Sequence, residues 1–147
     1  MLSNTSKYGI KAVLYLAMNV QGNEKIGIKK ISNELGIPTP FLGKILQSLA
    51  KHKLLSSTKG PHGGFGLGKP SHEIHLIDIV EVLDGLDFFE ECLISPEPCA
   101  QAMGKDYHCP VHSKYAPIRS QLYELFRQES IGSLVEDTRK SGKHIKL

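Results

Sequence analysis

The sequence predicts a mainly α-helical protein with one small β-hairpin and a long C-terminal helix. Three observations carry this. Apolar residues recur at helical spacing in five separate segments, two short β-compatible runs flank one turn rich in Gly and Pro, and a late apolar stripe repeats at a spacing near 3.5.

The first segment, residues 5–20, is apolar at Ile10, Val13, Leu14 and Ala17 and nearly so all round, so a buried helix is expected, stopped by Gly22 and Asn23. "GIKKISNELG" then gives a short helix with Ile28, Ile31 and Leu35 on one side and Gly36 as its C-terminal stop. In "IPTPFLGKILQSLAKHKLL", Thr39 is the expected N-cap and Pro40 the first helical residue of a helix reaching about His52. Short helix, tight turn with Gly and second helix make the helix-turn-helix plan. Counted at about 100° per residue, Phe41, Leu42, Ile45, Leu46 and Leu49 cluster on one side of that second helix and Pro40, Gly43, Lys44, Gln47 and Lys51 on the other. The second side is cationic and amide-bearing, with Gly43 leaving room for close approach, and suits a helix lying in a DNA major groove. An ordinary solvated helix face is the alternative.

"LLSSTKGPHGGFGLGKP" places residues 54–58 and 65–67 around the turn, a hairpin in the position of a wing after a recognition helix. Its tip carries Lys59 and His62, and Gly60, Gly63 and Gly64 let the backbone approach phosphates or a minor groove. The Lys-Ser/Thr ending of a nucleotide-binding loop is missing. Beyond it, "HLIDIVEVLDG" sets Leu76, Ile79, Val80 and Leu83 on one face of a helix ending at Gly85. A long helix is expected over 113–129, with Pro117 in its first turn. Its stripe of Tyr115, Ile118, Leu122, Leu125 and Phe126 reads as a dimer seam, with a second core as the alternative. "KSGKHIKL" reads as a disordered end. The resulting division is 1–72 head, 73–91 connecting helix, 92–112 cysteine segment, 113–135 dimerisation helix and 136–147 disordered tail.

Charge is asymmetric. The net charge of +3 hides a front half, 1–70, with ten lysines against Glu24 and Glu34, and a back half with eight Lys or Arg against thirteen Asp or Glu. A front half at +8 suits a polyanion, and counterion release would favour its docking on nucleic acid. The longest apolar run, 12–18, is too short to cross a bilayer and residues 1–10 lack the pattern of a signal peptide, so a cytoplasmic protein without membrane partners is expected.

All three cysteines, Cys92, Cys99 and Cys109, fall in one segment that ends with His112. In a reducing compartment they do not make a disulfide framework. Three thiolates brought together repel and oxidise unless a cation or cluster neutralises them, and soft sulfur selects zinc, copper(I) or iron–sulfur clusters. Structural zinc sites usually include a CxxC pair, which this segment lacks. His108 is a second possible imidazole ligand, and reduced cysteines without metal remain an alternative. A cysteine enzyme with His108 or His112 as base would need an orienting third group that the sequence does not show, so no catalytic residue is assigned.

"YGIKAVLYLA", "IPTPFLGKILQSLAKHKLLSSTKGPHGGFGLGKP" and "IHLIDIVEVLDG" together resemble the Rrf-two family of winged helix-turn-helix transcriptional regulators, over about residues 1–130. The wing pattern Lys59-Gly60-Pro61-x-Gly63-Gly64-Phe65 is its most specific part. The resemblance implies a homodimer with crossing C-terminal helices, reading a partly palindromic double-stranded operator. It nominates Lys29, Thr39, Pro40, Phe41, Gly43, Lys44, Gln47 and Lys51 on the helices, and Lys59, His62 and Gly63 on the wing, for DNA contact. It further implies an iron–sulfur cluster, 2Fe-2S before 4Fe-4S, held by Cys92, Cys99, Cys109 and His112, with zinc as the alternative. Cluster-binding relatives space their cysteines five to seven residues apart; the nine residues between Cys99 and Cys109 depart from that habit. Some relatives borrow a carboxylate from the first helix, but residues 1–20 contain no Asp or Glu, which favours His112. The expected function is a repressor-type regulator sensing redox, nitric oxide or cluster status. A cluster-free regulator responding by thiol oxidation is the alternative.

Overall fold

The computed structural model describes residues 2–97 and 109–147. Along the chain run α1 (Asn4–Asn19), α2 (Ile28–Leu35), α3 (Thr39–Lys51), β1 (Leu55–Thr58), β2 (Gly64–Leu67), α4 (Leu76–Leu83), α5 (His112–Gln128) and α6 (Ile131–Ser141). Single 3-10 turns lie at Ser71–Glu73 and Asp87–Phe89. The mainly α fold with a hairpin wing is the one the sequence predicts.

Gly36 ends α2 in the left-handed region (φ 64°, ψ 29°), which a residue without Cβ adopts at little cost. The turn that follows is tied by side chains: Ser32 Oγ donates to the Ile37 carbonyl at 2.5 Å and accepts from Thr39 Oγ1 at 3.0 Å. Thr39 is therefore not the N-cap of α3. Pro38 takes that place, Thr39 is the first helical residue, and its hydroxyl is committed to joining α3 to α2. Proline is tolerated throughout a first turn because those N–H groups have no helical acceptor, so Pro40 sits there without cost.

The hairpin pairs β1 and β2 antiparallel, with Ser56 opposite Gly66 and Ser57 opposite Phe65. It is fastened to the α1–α2 connection by reciprocal bonds between Ile26 and Phe65, both 2.9 Å. A Cβ on Gly64 would lie 2.3 Å from the Ile26 carbonyl oxygen, so that close approach requires glycine.

Helix α4 is apolar on both sides because it separates two cores. Ile79 joins Leu16, Ile31, Leu42, Leu46 and Leu49 in the core of the head. Ile77 and Val80 face the other way, onto Phe89 and Phe126. The second core is largely aromatic: Phe89 meets Phe88, Tyr123 and Phe126 edge-on with centroids 5.0, 5.3 and 5.6 Å apart. It seats α5 on the head.

At the end of α4, Asp84 takes the Ser3 hydroxyl on Oδ1 (2.5 Å) and the Ser3 N–H on Oδ2 (3.1 Å), while Ser3 Oγ caps α1 through Ser6 N–H. Burial pushes the Asp84 carboxyl up, but the two hydrogen bonds from Ser3 outweigh it and hold it below the usual carboxylate value. A depressed folded-state pKa stabilises the fold above the unfolded pKa and ceases to do so as pH falls through the folded one. Asp84→Asn should thus melt a few degrees lower than the parent at pH 7, with the gap beginning to close only below about pH 4 and vanishing below the lowered carboxyl pKa. Paired thermal melts across that range provide the check.

Two further expectations are corrected. The segment 136–147, read as a disordered tail, is helical through Ser141: Glu129 breaks α5, Ser130 recaps the chain by accepting the Ser133 N–H at 3.0 Å, and α6 buries Ile131 and Val135 in the head core. An isolated antiparallel pair, Ile131 N–H to Ile74 O (2.8 Å) and Leu76 N–H to Glu129 O (3.0 Å), holds the break in place. Leu147 also packs, partly buried, against this core. The second correction concerns Pro117, which lies inside α5 rather than in its first turn. It removes the N–H due to the Ser113 carbonyl, and Ser113 is exposed, so water can serve that group.

Candidate nucleic-acid interface and cysteine segment

Pro40, Lys44, Gln47 and Lys51 form an exposed row along α3, while Leu42, Ile45, Leu46 and Leu49 are at most 2% exposed. The row has helical spacing and lies opposite the core. Lys29 is exposed near the start of α2, and Lys59 and His62 are exposed at the wing tip. A cleft of about 500 Å³ opens between the start of α2 and the wing, lined by Gly27, Lys29, Thr58, Gly60 and Gly63 among others. The arrangement is a projecting helix beside a cationic hairpin, set on a surface of lysines.

Two nominated residues, Gly43 and Phe41, are placed otherwise than expected. Gly43 does not leave space on the outward face: its position faces α2, where a Cβ would lie 3.3 Å from Ile28 Cδ1. Its smallness lets α2 and α3 approach one another. Phe41, assigned to the buried side of α3, is 41% exposed and packs edge-on against Tyr8, with centroids 5.8 Å apart. Gly63 is demanded by the hairpin, since a Cβ there would lie 2.1 Å from the Thr58 carbonyl oxygen.

Cys99 and His108 lie outside the described residues. Cys92 is half-buried, just after the 3-10 turn that Phe89 anchors. Cys109 is 6% exposed, and its carbonyl accepts the His112 N–H at 3.2 Å in the turn that opens α5. Within that turn His112 Nδ1 is buried and has no hydrogen-bond partner among the described residues. Among the described residues no three His, Cys, Asp or Glu side chains are grouped to hold an ion. The described donors nevertheless suit a soft metal or cluster: a thiol and an imidazole nitrogen at one helix start, the nitrogen buried without a proton donor or acceptor, which is costly unless something else binds it.

Sequence reasoning missed Arg119. From α5 its guanidinium donates to the carbonyls of Glu90 (3.1 Å) and Glu91 (2.8 Å), directly before Cys92, and it lies 5.7 Å from the centre of the Tyr115 ring. Both ends of the cysteine segment are therefore attached to α5, one through Arg119 and one through chain continuity at His112. A lone arginine in an apolar stripe gives no signal of this.

No helix among the described residues is long and apolar enough to cross a membrane. The family model for Rrf2, described as an iron-dependent transcriptional regulator, matches residues 2–137. A chain from Aquifex aeolicus, named for the HTH-type transcriptional regulators, is 34% identical over 133 residues, 90% of each chain. Among solved structures, CymR (YrzC), the global cysteine regulator of B. subtilis, superimposes with a TM-score of 0.77 at 21% identity, covering 94% of this chain and 98% of that one. IscR of T. potens gives a TM-score of 0.75 at 21% identity, with 99% and 93% covered. These two likenesses concern the fold. The relatives are regulators of transcription rather than enzymes, and with head, wing and long helix all accounted for, this chain belongs to the Rrf2 family of DNA-binding transcriptional regulators.

Proposed function

We propose that the protein is a homodimeric, sequence-specific regulator whose operator affinity responds to an iron–sulfur cluster held by Cys92, Cys99, Cys109 and His112. The observation that carries this reading is the buried His112 Nδ1, without a hydrogen-bond partner among the described residues, on the same turn as the buried Cys109. When bound, a cluster supplies a centre that oxidants or nitric oxide can alter. The chain does the rest. Arg119 and the His112 turn tie both ends of the cysteine segment to α5, and the Phe89–Phe126 contact ties α5 to the head. Ile118 and Leu125, 61% and 50% exposed and two turns apart on α5, provide a seam for a second copy. A shift of α5 then alters the spacing of two α3 helices on an operator. A tenfold change in affinity needs only about 1.4 kcal/mol between the two states.

Anaerobic absorption with iron, sulfide and zinc counts tests the cluster, and operator affinity with and without it tests the coupling. Iron-free protein after reconstitution would refute the cluster; zinc in its place would select the thiol-responsive alternative.

For the DNA interface, Lys44→Ala or Gln47→Ala is expected to cost about 1–3 kcal/mol at the operator and little at random duplex. Lys59→Ala should weaken both by similar factors and lower the slope of log affinity against log salt by about one. Titrations at several salt concentrations separate the two patterns. Intact operator binding in the α3 variants would remove α3 as the reader.

A further inference from the structure

Lys25 differs from its neighbours in the basic head. Lys29, Lys30 and Lys59 are exposed, whereas Lys25 is half-buried against the hairpin. Its Nζ donates to Ser56 Oγ at 2.6 Å, and Ser56 Oγ in turn donates to the Leu67 carbonyl at 3.1 Å. Ser56 stands opposite Gly66 in the ladder, and a Cβ on Gly66 would lie 3.2 Å from both Cδ and Nζ of Lys25. The lysine stem therefore crosses β2 where a side chain is missing and fastens to β1 on the far strand. The next rung is fixed through backbone, by the Ile26–Phe65 pair. Together these ties set the direction in which the wing tip, with Lys59 and His62, leaves the head.

We propose that Lys25 is a positioning residue for the wing: it clasps both strands at the Ser56–Gly66 rung and aims the tip at DNA, rather than serving as one more phosphate contact. Losing either partner loosens the same clasp. Lys25→Met keeps the stem and removes the ammonium; Ser56→Ala keeps every charge and removes the hydroxyl. The probe is a duplex selected from a random-sequence pool by the parent protein. Each single variant should lose about fivefold in affinity, the size of one ordinary hydrogen bond. The double variant should lose no more than either single, because one interaction has been removed twice. In the free variants, the hairpin amides of Thr58 and Phe65 should exchange faster than in the parent, a readout that does not depend on DNA.

The contrary pattern is equally definite. A lysine that contacted phosphate would lower the salt slope by about one in Lys25→Met, and Ser56→Ala would bind like the parent. That result, additive losses in the double variant, or unchanged amide exchange would each overturn the proposal.

Discussion

Phe89→Ala is expected to destabilise the protein by about 3–5 kcal/mol, as removal of a large buried aromatic side chain does elsewhere. The side chain is 6% exposed and forms the centre of the second core, meeting Phe88, Tyr123 and Phe126 edge-on while Ile77 and Val80 close the other side. Lost apolar burial and three lost ring contacts add to the cavity left behind. The consequence extends beyond stability. Phe89 lies three residues before Cys92 and anchors α5 to α4, so the variant should also weaken any dependence of operator binding on the cysteine segment. Phe41→Ala removes an equally large ring that is 41% exposed, and should cost about 1 kcal/mol. Denaturant unfolding of both variants makes the comparison. A Phe89→Ala protein as stable as the Phe41→Ala protein would mean that α5 is not held by this core.

His112→Ala and Cys109→Ala should each abolish retention of iron after anaerobic reconstitution and make operator affinity identical with and without iron. Without metal, however, the two should not behave alike. Cys109 is a small, fully packed side chain whose removal leaves a void. His112 presents a buried nitrogen with no partner among the described residues, and such an atom costs about 1–3 kcal/mol where it stands. Its removal should therefore leave the metal-free protein about as stable as the parent. A structural histidine would behave in the opposite way, with a loss of stability independent of iron. Iron content, measured alongside thermal melts of the metal-free proteins, distinguishes the two.

The regular elements of the head were legible because their signals are local. Periodicity located α1 to α4, Gly36 marked the end of α2, and the Gly-Pro turn marked the wing, each through chemistry within a few residues. What α3 projects was also legible for Pro40, Lys44, Gln47 and Lys51, since a helix with one strongly apolar side leaves no choice about the other. Gly43 and Phe41 were misread because a 100° count ranks residues by angle and cannot say where a neighbouring helix ends. Gly43 turned out to face Ile28, and Phe41 to meet the ring of Tyr8 at the edge.

The C-terminal region shows the limit most clearly. The segment from 136 onward reads as a disordered tail, yet α6 is already seated before it: Gly132 is there because the His72 ring occupies the place where its Cβ would be, 2.5 Å from the nearest ring carbon. His72 then pairs through Nε2 with Glu136 at 3.0 Å, one turn further along α6. The apolar stripe of α5 was seen, but not its division: Phe126 goes inward to Phe89, while Ile118 and Leu125 stay outside. Periodicity, caps and turn residues suffice for which stretches coil and where they stop, since those preferences are settled within one or two turns of chain. Which side of α5 is covered, that α6 folds back onto α1, and that Arg119 grips the approach to Cys92 depend on residues tens of positions apart. Only packing in three dimensions brings such residues together.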